Sequence, residues 1–159
     1  MSSMYGEAAG EERPLPKFDS LAAPFWTAAH AGRLEFQHCA DCGYVLWPAA
    51  SRCPECLSAH LDWRSVSGNG CVWSWAVYET ALHPAFVDEI PYIVAGVQLD
   101  EGPYLTSNVV DARATELYLG MRLEVVFEQI DENISLPRFR PATDRSVAHP
   151  PETGRPSAI

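Results

Sequence analysis

Two Cys-x-x-Cys pairs stand ten residues apart in the segment CADCGYVLWPAASRCPEC, which begins at Cys39. Each pair can form a turn that points two thiolates and several backbone amides at one ion, and Gly43 supplies the permissive backbone that the first turn needs. Two such turns on facing hairpins complete a tetrahedral four-sulfur site with Zn–S bonds of about 2.3 Å and no open position for water. The spacing predicts a structural zinc ion held by a tetrathiolate, with the ligands Cys39, Cys42, Cys53 and Cys56.

Two other interpretations of the four cysteines remain open. A disulfide frame is disfavoured, because the chain shows no signal peptide or long apolar run, and the reducing cytoplasm is then its expected compartment. Iron is the closer rival, since CADCGY and CPEC also resemble the knuckles of rubredoxin, and a tetrahedral sulfur site does not distinguish the two metals. Leu57 follows the second pair where a rubredoxin knuckle would prefer Gly, so zinc is favoured over electron transfer.

Residues 33–66, which surround the cysteines, are predicted to form a zinc ribbon. Their apolar content is too small for independent folding at that length. Ion binding supplies the missing free energy, on the order of 10 kcal/mol in zinc-finger peptides. His38 and His60 flank the ligands and are expected at the surface or beside them, whereas Cys71, the fifth thiol, is expected to be a small buried hydrophobe.

Composition limits what the rest of the chain can be. The 159 residues carry a net charge of −10, which is unfavourable for a protein that follows a polyanion such as duplex DNA. Residues 1–16 and 142–159 are rich in Pro, Gly, Ser and Glu without periodicity, and we predict disordered tails there. One compact domain, or two very small ones, lies between them.

Residues 17–32 are predicted to form a short N-terminal helical segment. Asp19 or Ser20 can cap it and Gly32 can end it. Phe25 and Trp26 then have two possible roles: they attach the helix to the core, or they dock on a partner subunit.

Residues 67–141 are predicted to form a β-barrel. Four segments are rich in Val, Ile, Tyr and Trp and are bounded by turn residues: 71–80, 92–100, 103–111 and 121–130. A short helix over 112–120, capped by Asp111 and ended by Gly120, separates the last two. This order is typical of a small Greek-key barrel of the OB type, so the predicted fold class is mostly β.

Trp73 and Trp75 are two residues apart and are therefore expected on one face of their strand. If that face points inward, both belong to the core. If it points outward, they form a patch for a partner protein or, less simply, a platform on which a nucleobase stacks.

The sequence resembles the acyl-CoA-associated family in which a rubredoxin-like zinc ribbon precedes an OB-fold, long catalogued as domain of unknown function 35. The similarity covers about residues 24–141 and depends on PFWTAAHAGRLEFQHCADCGYVLWP, RCPEC, SGNGCVWSWAVYE, IPYIVAGVQLDEGPYL, LGMRLEVVFE and LPRFRPA. It implies a small subunit that works beside thiolase-fold enzymes such as thiolases, hydroxymethylglutaryl-CoA synthase or the retro-aldolases of steroid side chains. Since those enzymes are dimers, a two-plus-two heterotetramer is implied.

The residues agree with a non-catalytic accessory subunit of such an acyl-CoA enzyme. Thiolase chemistry needs an activated Cys, and only Cys71 is left over from the metal, with no visible base. CoA carries several phosphates, and the scattered arginines predict that most phosphate recognition lies on the partner, with Arg138 and Arg140 as the local contribution. The alternatives are a stand-alone OB-fold that binds acyl-CoA or single-stranded nucleic acid, and a rubredoxin-like electron carrier.

Overall fold

A computed structural model of the chain describes residues 13–16 and 21–143. It begins with helix α1, Ala23–His30, which buries Phe25, Ala28 and Ala29. Pro24 lies in the first turn, where its missing N–H costs nothing. The predicted caps Asp19 and Ser20 lie outside the described residues, as do most of both predicted tails. The described part of the chain contains no helix that is long and apolar enough to cross a membrane.

A three-stranded antiparallel sheet follows the helix and forms the ribbon. Its strands are β1, Glu35–Cys39, β2, Val45–Leu46, and β3, Leu61–Ser65. Strand β1 lies in the centre, and its residue Gln37 pairs with Leu46 on one side and with Trp63 on the other. The buried Gln37 side chain accepts the backbone N–H of Ala50 at 2.8 Å, which fixes the loop that leads to the second cysteine pair.

Five strands form a closed barrel in the order β4-β5-β6-β8-β7. They are β4, Asn69–Tyr78, β5, Tyr92–Leu99, β6, Tyr104–Val109, β7, Arg122–Gln129, and β8, Ser135–Pro141. All neighbours are antiparallel except β6 and β8, which close the barrel in parallel at Val109 and Phe139. A zinc ribbon followed by an OB-type barrel confirms the predicted fold class.

The predicted helix over 112–120 is wrong in type and in its cap. A single 3-10 turn, Ala114–Glu116, takes its place, and it is capped by reciprocal contacts between Arg113 and Glu116. Asp111 cannot be the cap, because its φ of 57° lies in the left-handed region whereas a capping residue is extended.

The expectation that Trp73 and Trp75 share a face is also wrong. Val72 pairs with Val97, but the next pair along the strand joins Ser74 to Gly96, so Trp73 is the extra residue of a β-bulge. The bulge shifts the side-chain alternation by one position. Trp75 consequently packs against the barrel core, while Trp73 points outward and is 41% exposed.

One apolar core runs through the helix, the ribbon and the barrel. Phe25 packs against Trp47 with ring centroids 4.3 Å apart, and Phe36 stacks on Trp47 at 5.1 Å. These rings belong to the same buried cluster as barrel residues such as Leu123 and Phe139. The ribbon and the barrel are therefore joined by packing, not only by the chain between them.

Candidate metal centre and docking surfaces

The turns that follow Cys39 and Cys53 have the same backbone geometry. In each turn the fourth residue after the cysteine, Gly43 or Leu57, donates its N–H to the cysteine carbonyl at 2.9 Å. Each cysteine N–H donates in turn to the carbonyl one residue further on, at 2.8 Å. Gly43 has a φ of 76° and Leu57 a φ of 62°. Leu57 thus adopts the left-handed conformation that Gly takes in the first turn, at a cost of about 1–2 kcal/mol for an L residue.

The two turns bring the four thiols together. All four sulfur atoms lie within 4.8 Å of one another. The Cys39 and Cys56 sulfurs are 3.5 Å apart, and the Cys42 and Cys53 sulfurs are 3.6 Å apart. A tetrahedron with Zn–S bonds of about 2.3 Å has sulfur edges of about 3.8 Å, so the cluster has the size that a zinc ion requires.

The backbone and the neighbouring thiols change the acidity of the cysteines. Hydrogen bonding from the Cys42 backbone N–H lowers the pKa of Cys39 to about 7. The Tyr44 backbone N–H also acts to lower the pKa of Cys42, but burial and the neighbouring thiols outweigh it and raise that pKa to about 12. Four adjacent thiolates repel one another, and a divalent ion removes that repulsion when the cysteines ligate it.

Neither histidine beside the cysteines joins the sulfur cluster. Nδ1 of His38 lies 3.2 Å from the Phe36 carbonyl. His60 pairs with Asp41 at 3.2 Å, and hydrogen bonds from Ser58 and His60 lower the pKa of that carboxyl. The His60–Asp41 pair connects the first cysteine turn to the end of the loop that precedes β3.

Cys71 has the properties of a structural residue. It is 3% exposed, and burial raises its pKa, although the nearby Arg122 partly opposes that shift. A protonated, inaccessible thiol is a poor nucleophile. The described residues therefore contain no cysteine that is both free of the metal cluster and suited to acyl transfer.

The residues predicted to dock on a partner differ in how much surface they present. Phe25 is 1% exposed and belongs to the core, so it offers no surface for docking. Trp26 keeps part of its surface in solvent. Trp73 is exposed and makes an edge-to-face contact with Tyr104, with ring centroids 5.4 Å apart. Sequence reasoning missed Tyr104, because the contact depends on the bulge and on strands that are distant in sequence.

The two arginines predicted to contact CoA phosphate are already paired with carboxylates. Arg138 is 8% exposed and contacts Glu128, with Glu89 at 3.9 Å. Arg140 is more open and pairs with Glu124 at 2.7 Å. Each would have to exchange its carboxylate for a phosphate, so the predicted contact stays a prediction.

Pairing extends to the other arginines in the described ranges. All but Arg52 have a carboxylate oxygen within 3.9 Å: Arg13, Arg33, Arg64, Arg113, Arg122, Arg138 and Arg140. Arg52 donates to the Leu57 carbonyl at 3.0 Å. The described surface thus has no cluster of unmatched arginines, which weighs against the alternative of a polyanion-binding barrel.

Two family models match consecutive parts of the chain. One describes the rubredoxin-like zinc ribbon domain of ChsH2 and matches residues 26–62. The other describes the C-terminal OB-fold domain of ChsH2 and matches residues 63–128. The four cysteines lie within the first match and are positioned to bind its metal ion.

Curated relatives match large parts of the chain and have different names. A "DUF35 domain-containing scaffold protein" of Methanothermobacter thermautotrophicus is 37% identical over 95 residues, which are 59% of this chain and 71% of that protein. A "Probable enoyl-CoA hydratase alpha subunit" of Thermomonospora curvata is 37% identical over 130 residues. That match takes in 82% of this chain but only 40% of the relative, so the chain spans less than half of that protein.

Solved structures with the same architecture include one with a partner enzyme in its name. A chain of the "Ltp2-ChsH2(DUF35) aldolase" is 35% identical, with a TM-score of 0.74 over 80% of this chain and 98% of that chain. A DUF35 protein of unknown function from Sulfolobus solfataricus is 12% identical with a TM-score of 0.54, and this likeness shows the fold alone.

Proposed function

This chain belongs to the ChsH2 family of DUF35 proteins, which join a rubredoxin-like zinc ribbon to an OB-fold, and from that membership we propose that it is a non-catalytic accessory subunit. Its partner in this proposal is a thiolase-superfamily enzyme that makes or breaks carbon–carbon bonds of acyl-CoA substrates, by thiolysis or by retro-aldol cleavage. Steroid side chains are one substrate class that such a complex would shorten.

The likeness to the ChsH2 chain of an aldolase complex is the observation that carries the proposal. The similarity extends over 80% of this chain and 98% of that chain at 35% identity, so it is not confined to the ribbon or to the barrel. The curated relatives named as scaffold proteins support the same role, since a scaffold acts by holding another protein.

The chemistry of the described residues supports a role without catalysis. Cys71 is buried and protonated, and the remaining four cysteines are committed to the metal. A closed tetrathiolate shell leaves no position at which the ion can activate water or polarise a carbonyl. The reactive groups are therefore expected on the partner, and the metal acts as a brace.

Contact between individual arginines and CoA is the most detailed part of the proposal. Arg140 keeps 48% of its side chain exposed and lies at the end of β8, so it is the better placed of the two arginines for a phosphate. Arg138 is buried between two glutamates, and its ion pairs connect β8 to β7 and to the loop that carries Glu89.

A hydratase complex is a second candidate, because the Thermomonospora relative is named as an enoyl-CoA hydratase subunit and matches 82% of this chain. In that case the chain serves an enzyme that adds water to an acyl-CoA double bond. The accessory role is the same, and the identity of the partner separates the two candidates.

Affinity purification of the tagged chain from its native host, followed by mass spectrometry, tests the accessory role. We expect a thiolase-fold enzyme at equal stoichiometry, with a mass by light scattering that fits two copies of each chain. Reconstitution with that enzyme should raise its soluble yield or its turnover of a CoA thioester. A hydratase in its place selects the second candidate.

Assays of the isolated chain provide the control. The zinc-loaded chain alone should not turn over CoA thioesters, and it should bind neither oligonucleotides nor CoA with steep salt dependence. Thioester turnover by the chain alone, or the absence of any acyl-CoA enzyme from the purified complex, would refute the proposal.

A further inference from the structure

A groove of about 420 Å³ separates the first cysteine turn from the turn between β5 and β6. The ribbon lines it with Tyr44, Val45 and Trp47, and the barrel lines it with Glu101, Pro103 and Tyr104. Tyr44 and Tyr104 are each 42% exposed, so their rings are available to a ligand. We call this feature the ribbon–barrel groove.

Glu101 is the one charged side chain among the described residues that line the groove, and no cation of the described residues pairs with its carboxylate. Its Oε1 accepts the Ser67 backbone N–H at 2.6 Å, which holds the side chain in place. Its Oε2 is screened from solvent and has no hydrogen-bond partner among the described residues. A carboxylate oxygen withdrawn from water is costly unless a positive charge lies beside it.

The aromatic walls favour the same kind of ligand. The faces of Tyr and Trp attract cations, and Trp73 extends the aromatic surface because it contacts Tyr104 edge to face. Two carboxylates that neighbour the groove walls in sequence, Asp41 and Asp100, are paired with His60 and Arg122. In a chain of net charge −10, an anion is repelled from this position and a cation is attracted to it.

We propose that the ribbon–barrel groove receives an arginine side chain of the partner enzyme. A guanidinium is planar, stacks on aromatic rings and donates to a carboxylate at the same time, which suits a groove with two tyrosines and one glutamate. This inference rests on the proposed accessory function. Tyr44 directly follows Gly43 in the first cysteine turn, so the ion would hold one wall of the groove and thereby act on partner recognition.

Titration of the zinc-loaded full chain with the peptide acetyl-Gly-Arg-Gly-amide tests the groove without the partner. Amide NMR shifts should be saturable and centred on residues 43–45 and 101–104. The matched citrulline peptide, which keeps the shape but not the charge, should cause none. A lysine peptide that binds as tightly, or shifts that lie elsewhere, would overturn the assignment.

Substitution of the carboxylate gives the second readout. Glu101→Gln keeps an acceptor for the Ser67 N–H, so the fold and zinc content should be unchanged, while affinity for the arginine peptide and for the purified partner enzyme should fall roughly tenfold. The control is Glu132→Gln, an exposed glutamate of the β7–β8 turn, and it should change neither affinity.

The two proposals fail in different ways. A complex with an acyl-CoA enzyme that Glu101→Gln does not weaken would sink the groove assignment and leave the accessory role intact. If no enzyme associates with the chain, the accessory role is lost, and the peptide titration still decides whether the groove binds a guanidinium.

Discussion

The ribbon and the barrel are stabilised by different interactions. The buried cluster at the cysteine turns contains Cys39, Leu46 and Cys53, and two of these three residues are predicted metal ligands. The barrel is filled by side chains from all five of its strands. The cysteine turns of the ribbon therefore depend on coordination for their local stability, whereas the barrel and the part of the ribbon packed against it depend on apolar burial.

The two regions also differ in what supports their exposed residues. The cysteine turns hold an exposed surface, with Tyr44 and Leu57 both open to solvent, on very little core. The barrel keeps its exposed aromatic residues on a frame that is packed without the metal. Four experiments test this difference between the two regions.

Zinc removal should have the largest effect, and it should be local. Coordination is worth on the order of 10 kcal/mol in zinc-finger peptides, so chelation should remove hydrogen-exchange protection from residues 39–60. Amides of β5 should keep theirs. Exchange measured by mass spectrometry before and after chelation gives the comparison.

The matched control for that experiment replaces the thiol outside the cluster. Cys71→Ala should retain zinc and the protection of the ribbon, whereas Cys53→Ser should lose both. Equal loss of protection in β5 and in the cysteine turns would mean that the two regions unfold as one unit.

A cavity in the barrel should have the next largest effect. Phe139 is 0% exposed at the point where β6 meets β8, and Phe139→Ala should lower the free energy of unfolding by about 3–5 kcal/mol. Urea titration measures the loss, and metal analysis should show unchanged zinc content. Tyr118→Ala, at an exposed position, should change stability by less than about 0.5 kcal/mol. Loss of zinc from Phe139→Ala would contradict independent stabilisation.

Substitutions at the left-handed position of the two cysteine turns should change the stability of the metal site in opposite directions. Gly43→Ala should weaken the ribbon by about 1 kcal/mol, because its Cβ meets no atom within 4 Å and only the left-handed backbone is strained. Leu57→Gly should strengthen zinc binding by up to about 1 kcal/mol, since the 68% exposed leucine loses little packing. Competition with a chromophoric chelator measures both, and a weaker site in Leu57→Gly would show that the leucine has a role beyond backbone geometry.

The smallest effect belongs to an ion pair at the barrel surface. Hydrogen bonding from Arg122 lowers the pKa of Asp100 below its ordinary 3.8. A lowered pKa in the folded state adds stability above the ordinary value, and that stability is lost as the pH falls through the folded value. Asp100 is partly exposed, so Asp100→Asn should cost only a few tenths of a kcal/mol at pH 7. The difference in urea midpoint between the two proteins should shrink as the pH falls below 3.8, and a difference that does not change with pH there would exclude the ion pair as its cause.

The metal site was predictable from sequence because its information is local. Two cysteine pairs and a glycine predict the ligands and their geometry without reference to the rest of the chain, and the choice of zinc over iron depended further on Leu57. The left-handed Leu57 was anticipated only as a departure from the glycine pattern, and the structure shows that the turn forms regardless.

The features that the sequence did not reveal depend on distant contacts. Strand β8 contains Pro137 and Pro141 and therefore lacks the usual signature of a strand, yet it pairs along its whole length with β7. The bulge at Trp73 depends on the register between β4 and β5. The sequence of β4 alone does not reveal that register. The packing of Phe36 and Trp47 against the helix likewise joins segments that are patterned separately.

That shared aromatic packing decides how the molecule can be divided. Phe25, Phe36 and Trp47 interlock the helix with the ribbon, and Gly68 lies so close to Val125 that any side chain at position 68 would collide with β7. The short segment between β3 and β4 is therefore held in place and is not expected to act as a hinge. A protein engineer who wishes to graft this module onto another enzyme must transfer residues 21–143 together. A cut between the ribbon and the barrel would expose buried apolar surface on both sides.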